Sequence, residues 1–256
     1  RDLDGEGTPI VFDRDRVEVR SWEQVALSDT PRTPGSTGWG NTIPRIAVIA
    51  RMRDRATGAD FVFVNSHFDA FSRRARRRSA SWLRDLAAAE TAPLIFTADV
   101  NAPIRSAELA DIFADGRLVD TWSFAPARRT AEWGTFNNYR RPRIGARRID
   151  AVLVSPEVGV RAVGIDPRPT GTSWPSDHLP VQAIVRIAGR YGGCRGHGSR
   201  IVGITADVQP VIGMLVAGQR RAQHRADHRL LIPRRHEHGE RQRRRTRHVD
   251  ERRLRP

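Results

Sequence analysis

Phe61-Val62-Phe63-Val64-Asn65-Ser66-His67-Phe68-Asp69 sets four consecutive apolar residues ahead of an amide, an imidazole and a carboxylate. Four apolar residues without alternation fit a strand buried on both faces, as in a sheet covered on two sides. The chain beyond it has helical spacing from Ser72 to Glu90. Ala75, Trp82, Leu83, Leu86 and Ala87 fall on one side, and a block of arginines (73, 74, 76, 77 and 78) falls on the other. That arginine face reads as solvated in preference to a phosphate-steering patch. Leu94-Ile95-Phe96 is a second buried strand, and it delivers Asp99-Val100-Asn101 at its C-terminal end. These features point to an α/β fold.

Further along, Ser106 to Ala114 reads as a short helix with Ser106 as N-cap, and Leu118 to Trp122 as another strand. Arg128 to Arg148 is basic, is interrupted by Trp133-Gly134-Thr135-Phe136-Asn137, and reads as a loop facing a ligand or solvent. Ile149 to Val154 is a buried strand opening with Asp150, and Val160 to Ile165 is expected to pair with it. Trp174-Pro175-Ser176-Asp177-His178-Leu179-Pro180-Val181 then places an acid beside an imidazole where a loop enters the strand Leu179 to Ile187. Neighbours on extended chain point to opposite faces, so both can serve one site only if the turn at Pro175 and Ser176 bends the backbone. Upstream, Thr8 to Asp13 and Val17 to Ser28, joined by Arg14-Asp15-Arg16, suggest a hairpin. The segment from Asp29 to Pro44 is loop by composition, and Ile46 to Met52 is a strand.

Residues 1–187 carry 27 Arg against 23 acids, while residues 188–256 carry 17 Arg against 6 acids and Tyr191 as their one aromatic. We therefore expect two parts, a folded domain over 1–187 and a basic tail over 188–256. The tail buries too little apolar surface to offset chain entropy and reads as irregular, either disordered or translated out of frame. Val208 to Val216 is its one stretch apolar enough for a further strand or helix. There is no Lys, so the basic character looks like a coding bias as much as a selection for guanidinium chemistry. The single Cys194 excludes an intramolecular disulfide framework, and no run is long enough for a membrane-spanning helix. The chain begins at Arg1 with no signal-like segment, which suggests that N-terminal sequence has been lost; the compartment, bacterial cytoplasm or secreted, stays open.

Four polar motifs stand at strand ends, where open α/β sheets bind ligands: Asn65/His67/Asp69, Asp99/Asn101, Asp150 and Asp177/His178. Each residue has a plainer reading. His67 could be a backbone-satisfied histidine, Asp99 an N-cap, Asn101-Ala102-Pro103 a turn, and Asp150 a partner of Arg147 or Arg148. Four such coincidences in one chain are much less expected than one. The only histidines of residues 1–187 both fall in these motifs.

The ordered set NSHFD, TADVN, RRIDAVLVS and SDHLPV resembles the endonuclease/exonuclease/phosphatase superfamily of metal-dependent phosphoesterases, over roughly residues 9 to 187. TPIVFDRDRVEV, LSDTPRTPGSTGWG and PRIAVIARMRDRATGADFVFVNSHFD look like a bacterial, uncharacterised branch of it. The resemblance implies a four-layer α/β sandwich of two packed mixed β-sheets flanked by helices, here with N-terminal strands missing. It implies that Asp99 orients or deprotonates the attacking water, that Asn101 holds that water or a phosphoryl oxygen, and that His67 bonds the scissile phosphate. His178 would be the acid/base or phosphate donor, with Asp150 fixing its tautomer, and Asp177 would help bind Mg²⁺ (or Mn²⁺). Asn65, Trp133 and Thr135 would lie on the substrate side, while Phe136 could equally be core.

Two departures qualify this. The family's N-terminal Asn and metal-binding Glu have no counterpart in the sequence, since Glu6 lies too close to TPIVFD, so a chain of low or no activity is expected. TADVN replaces the usual Gly-Asp-Phe-Asn, and Ala98 would be strained if its position required positive φ. The expected substrate is a phosphate ester, with nucleic acid among the candidates, acted on by a monomer. The competing reading is a non-catalytic nucleic-acid-binding protein driven by the basic tail, or a degenerate relative that binds phosphate without turnover.

Overall fold

The structure is a computed structural model that describes residues 7–41 and 43–188, together with the backbone of residues 200–206 and 212–215. All of these belong to one unit, residues 1–219; the second unit, 220–256, lies outside the described residues. In chain order the elements are β1 (Ile10–Phe12), β2 (Val17–Ala26), β3 (Ile46–Asp54), β4 (Asp60–His67), α1 (Arg73–Ala89) and β5 (Leu94–Asp99). They continue with a 3-10 turn (Ala110–Phe113), β6 (Val119–Asp120), α2 (Thr121–Phe124), β7 (Asp150–Val154), β8 (Gly159–Ile165), β9 (Val181–Ile187), β10 (Arg200–Ala206) and β11 (Ile212–Leu215).

Two sheets pack face to face. One runs β2-β3-β4-β5-β7-β6 and the other β1-β11-β10-β9-β8. β4 and β5 are parallel with α1 as their crossover, and the other pairs of the larger sheet are antiparallel, so it is mixed. The uninterrupted apolar runs follow from this sandwich, because alternate side chains enter two different cores. Phe61, Phe63, Ile95 and Val152 face the second sheet, where they meet Ile165, Val181, Val185 and Ile187. Val62, Val64, Phe96 and Leu153 face the other way, against Ala80, Leu83 and Ala87 of α1 and Leu109 and Ile112 near the 3-10 turn. Each large side chain buried in this way contributes about 1.5–3 kcal/mol relative to exposure. The α/β sandwich read from the sequence is therefore the observed architecture, with the helical layer of the described residues on the outer face of the larger sheet.

Several local expectations are corrected. Residues 8–28 form no hairpin, because β1 joins the smaller sheet beside β11 while β2 pairs with β3 in the larger one. β8 pairs with β9, not with β7. The segment 106–114 forms only the short 3-10 turn, and the Ser106 hydroxyl makes no capping bond. The strand expected over 118–122 stops at Asp120, whose carboxylate caps α2. α1 itself appears as expected, capped by Ser72, which accepts from the Ala75 amide at 3.1 Å. One member of its arginine block is not solvated. Arg76 is buried, bonded to Glu108 and to the carbonyls of Asp69 and Ala70.

Strand pairing also continues past the boundary drawn at residue 187, since β10 pairs with β9 over seven residues and β11 with β10. The remaining tail lies outside the described residues. Among the described residues, no helix is long and apolar enough to cross a membrane.

Candidate active site

The larger sheet lines up the site by register. His67 ends β4 opposite Asp99 at the end of β5, and Asp99 stands opposite Asp150 at the start of β7. Counting by twos from Phe63, Ile95 and Val152, all three side chains emerge on the face towards the second sheet. They form one row at one end of the interface between the sheets. His178 comes from the second sheet, in the lead-in to β9, and closes the row.

His178 Nδ1 lies 2.8 Å from Asp150 Oδ2, and its backbone amide donates to Ser176 Oγ at 3.1 Å. Its Nε2 lies 3.8 Å from Asp99 Oδ2, while His67 Nε2 approaches the same oxygen to 3.3 Å. The Asp99 carboxylate therefore sits between two imidazoles, and its Oδ1 accepts from the Asn101 amide at 2.7 Å. Asn101 has φ +51°, a conformation that Asn tolerates better than most residues. Its Nδ2 donates to the Phe68 carbonyl at 3.0 Å and lies 3.0 Å from His67 Nε2. Because the positive φ belongs to Asn101 and Ala98 is an ordinary strand residue, the strain considered for Ala98 does not arise.

Burial disfavours an imidazolium at His178. The hydrogen bond to Asp150 and the charges of Asp150, Asp99 and Asp177 outweigh it, pushing the pKa up to about 9. Burial has the opposite effect on Asp150, whose pKa it raises against the pull of the bond from His178. Asp150 thus favours the protonated form of His178, which stands beside Asp99 at 3.8 Å without a direct bond.

Asp69, at the end of the first motif, supports the loop. It is buried, and its Oδ1 accepts from the amides of Phe71 and Ser72, the latter being the cap of α1. Three residues expected at the substrate side are placed elsewhere. Asn65 is fully buried one step inside the row; its amide donates to the Pro9 carbonyl and its oxygen accepts from Thr97. Thr135 is fully buried too. Its Oγ1 accepts from the amides of Ile149 and Asp150, and its carbonyl accepts from Leu179, so it ties β7 to the segment bearing His178. Trp133 packs on the core between the sheets. It is Phe136, left open by the sequence, that reaches the site, with its ring 5.0 Å from that of His178 and about half exposed. Ser176, whose sequence signal is turn chemistry alone, holds the His178 backbone through its hydroxyl. Alternation beyond Thr135 was the available signal for Phe136.

Asp177 is not in the row. It is partly exposed, and its carbonyl accepts from the amides of Asn137 and Asn138. The described residues that could share a cation are Asp99, Asp150 and His178, whose ligand atoms all lie within 4.8 Å of one another. Asp150 Oδ1 is buried without a hydrogen-bond partner. A buried carboxylate oxygen left unsatisfied beside a second carboxylate fits a hard divalent cation, which prefers oxygen ligands.

Residues 7–178 match the Endonuclease/Exonuclease/phosphatase family. Solved structures give the same result. The mannosyl-6-phosphatase of Bacteroides thetaiotaomicron VPI-5482 is 28% identical with a TM-score of 0.61, the match covering 67% of this chain and 68% of that one. An endonuclease/exonuclease/phosphatase family protein from Bacteroides thetaiotaomicron is 28% identical with a TM-score of 0.63, covering 67% and 66%. Its counterpart from Bacteroides vulgatus is 28% identical with a TM-score of 0.61, covering 68% and 67%. This chain thus spans about two thirds of the length of each. No curated protein matches the chain. Together with the row of His67, Asp99 and Asp150, these matches place the chain in the Endonuclease/Exonuclease/phosphatase family.

Proposed function

We propose that the chain carries a metal-assisted phosphoester hydrolase site in which Asp99 is the base and His178 the cationic donor. The supporting observation is the register His67–Asp99–Asp150, closed by the 2.8 Å bond from Asp150 to His178. Asp99 Oδ1 accepts from the Asn101 backbone amide, and Oδ2, facing the Nε2 atoms of His67 and His178 at 3.3 and 3.8 Å, orients a water and takes its proton. His178, kept protonated by Asp150, donates to a phosphoryl or leaving-group oxygen as negative charge develops there. Asp150 fixes the ring and its tautomer, as a carboxylate does behind the histidine of a hydrolase triad. His67 and the Asn101 amide, adjacent at the mouth, hydrogen-bond the phosphate or the attacking water.

A divalent cation, Mg²⁺ or Mn²⁺, would be held by the carboxylates of Asp99 and Asp150, with the charge of Asp177 nearby. When bound, it supplies neutralisation of the phosphoryl oxygens. The mannosyl-6-phosphatase among the similar structures, named for a phosphate ester, supports phosphoester chemistry without fixing the alcohol.

The test is hydrolysis of a chromogenic phosphodiester and a chromogenic phosphomonoester with Mg²⁺ or Mn²⁺. Asp99→Asn and His178→Gln should each lower turnover by roughly 10²-fold or more, in line with the loss of a general acid or base. Undiminished turnover in the Asp99 variant would refute its role. Absence of turnover by the unaltered chain with either metal, while inorganic phosphate still binds, would favour a phosphate-binding relative.

A further inference from the structure

The segment from Phe136 onward is rich in arginine and carries two exposed aromatic rings, Phe136 and Tyr139. Some surface arginines of the domain sit against carboxylates: Arg78 on Asp29 at 2.7 Å and Arg168 on Asp166 at 2.6 Å, with the partly exposed Arg53 on Asp60 at 2.7 Å and Arg84 on Asp85 at 2.8 Å. From Trp133 to Arg147 the sequence contains no acid. Its four exposed arginines (140, 141, 143 and 147) have no carboxylate partner among the described residues.

The segment is also held in shape. Trp133 bridges to Ile144, Gly134 and Thr135 donate to the carbonyls of Arg143 and Arg147, and the Asn137 side chain donates to the Arg140 carbonyl at 2.8 Å. Asn138 and Tyr139 both have positive φ, at 49° and 57°. That conformation is unusual for a bulky residue, and strain of this sort collects at functional sites. It is maintained while the Tyr139 ring is 57% exposed, so burial is no reason for it. Phe136 is 49% exposed against His178, and the amides of Asn137 and Asn138 bond the Asp177 carbonyl, which fixes the segment at the mouth of the catalytic row.

Exposed aromatic rings interleaved with unneutralised cations match what single-stranded nucleic acid requires, a stacking surface for bases and a charged track for the backbone. A compact phosphorylated sugar would need only one such cation. We propose that residues 136–147 form an arm that holds a single-stranded nucleic acid with one phosphodiester at His178. Bases stack on Phe136 and Tyr139, and flanking phosphates lie along Arg140, Arg141, Arg143 and Arg147. This rests on the phosphoesterase reading of the row, to which it adds the substrate class.

The experiment uses the full chain in EDTA, so that no turnover occurs, with a single-stranded oligothymidylate carrying 4-thiothymidine. Ultraviolet cross-linking followed by peptide mapping should place adducts within residues 136–147. In parallel, fluorescence anisotropy compares the unaltered chain with a variant carrying Arg140→Ser, Arg141→Ser and Arg143→Ser, and with Tyr139→Ala. The triple variant should bind at least tenfold more weakly in about 0.1 M salt, and its log–log salt slope should flatten by about 2, three phosphate contacts at about 0.7 each.

Adducts confined to residues 188–256, or an unchanged slope in the triple variant, would overturn the arm. So would displacement of the oligonucleotide by phosphatidylserine vesicles, which would identify a membrane surface instead. Because cross-linking uses the unaltered sequence, a variant that misfolds leaves the test intact. The two readings fail separately. Loop adducts without phosphoester hydrolysis would sink the chemistry, and hydrolysis with tail-only adducts would sink the arm.

Discussion

Replacing Asp150 by Asn should lower the pKa of His178 while leaving the imidazole in place. The carboxylate lies 2.8 Å from Nδ1, is fully buried, and is the principal influence raising an imidazole that burial alone would depress. Loss of an opposite charge at such a distance shifts a pKa by about 1–3 units, equivalent to about 1.4–4 kcal/mol. In the metal-free chain, the His178 ring followed by NMR should titrate near pH 9, and the Asn variant well below it. His178→Gln identifies the resonance among the eight histidines. The stability effect has a defined sign. His178 has its pKa raised on folding, so its contribution is complete below the unfolded value near 6.5 and is lost as pH rises through about 9. Denaturant midpoints of the unaltered chain should therefore fall between pH 6.5 and 9 more than those of the Asn variant. An Asn variant that still titrates near 9 would show that Asp150 does not hold the proton there, and the assignment of His178 as cationic donor would go with it.

Gly134→Ala would put a Cβ 2.5 Å from that of Ala146 and 3.1 Å from its carbonyl carbon, an overlap worth about 1–3 kcal/mol. Denaturant unfolding should show that loss, and adding Ala146→Gly should recover most of it; a loss the second change does not touch would place the strain elsewhere. At Asn101, with φ +51°, Gly should be about 0.5–1 kcal/mol more stable than Ala, yet both should lose hydrolysis alike because both lack the side-chain carboxamide that stands beside His67. Equal stability of the two would mean that the backbone relaxes out of the left-handed conformation.

What the sequence made legible was whatever depends on one strand at a time. β4, β5 and β7 were readable because each is apolar on both faces, which only a sheet between two cores explains. Which strands pair was not readable. Arg14-Asp15-Arg16 is sound turn chemistry, but a turn does not decide that β1 and β2 enter different sheets; that depends on partners just over two hundred residues away in one case and about thirty in the other. The same limit applies to polar side chains. Asn65, Thr135 and Arg76 look like site or surface residues because their partners, Pro9, the amides of Ile149 and Asp150, and Glu108, come from remote segments.

The Asp177-His178 pair tests a local rule against a motif. Alternation says that neighbours on extended chain face opposite ways, and they do. His178 turns inward to Asp150, whereas Asp177 stays at the rim, with its backbone fastening the arginine-bearing segment. One dipeptide thus joins the buried row to the exposed arm. A change at Asp177 should consequently act on both, through the charge it places near His178 and through the backbone that fixes Asn137 and Asn138.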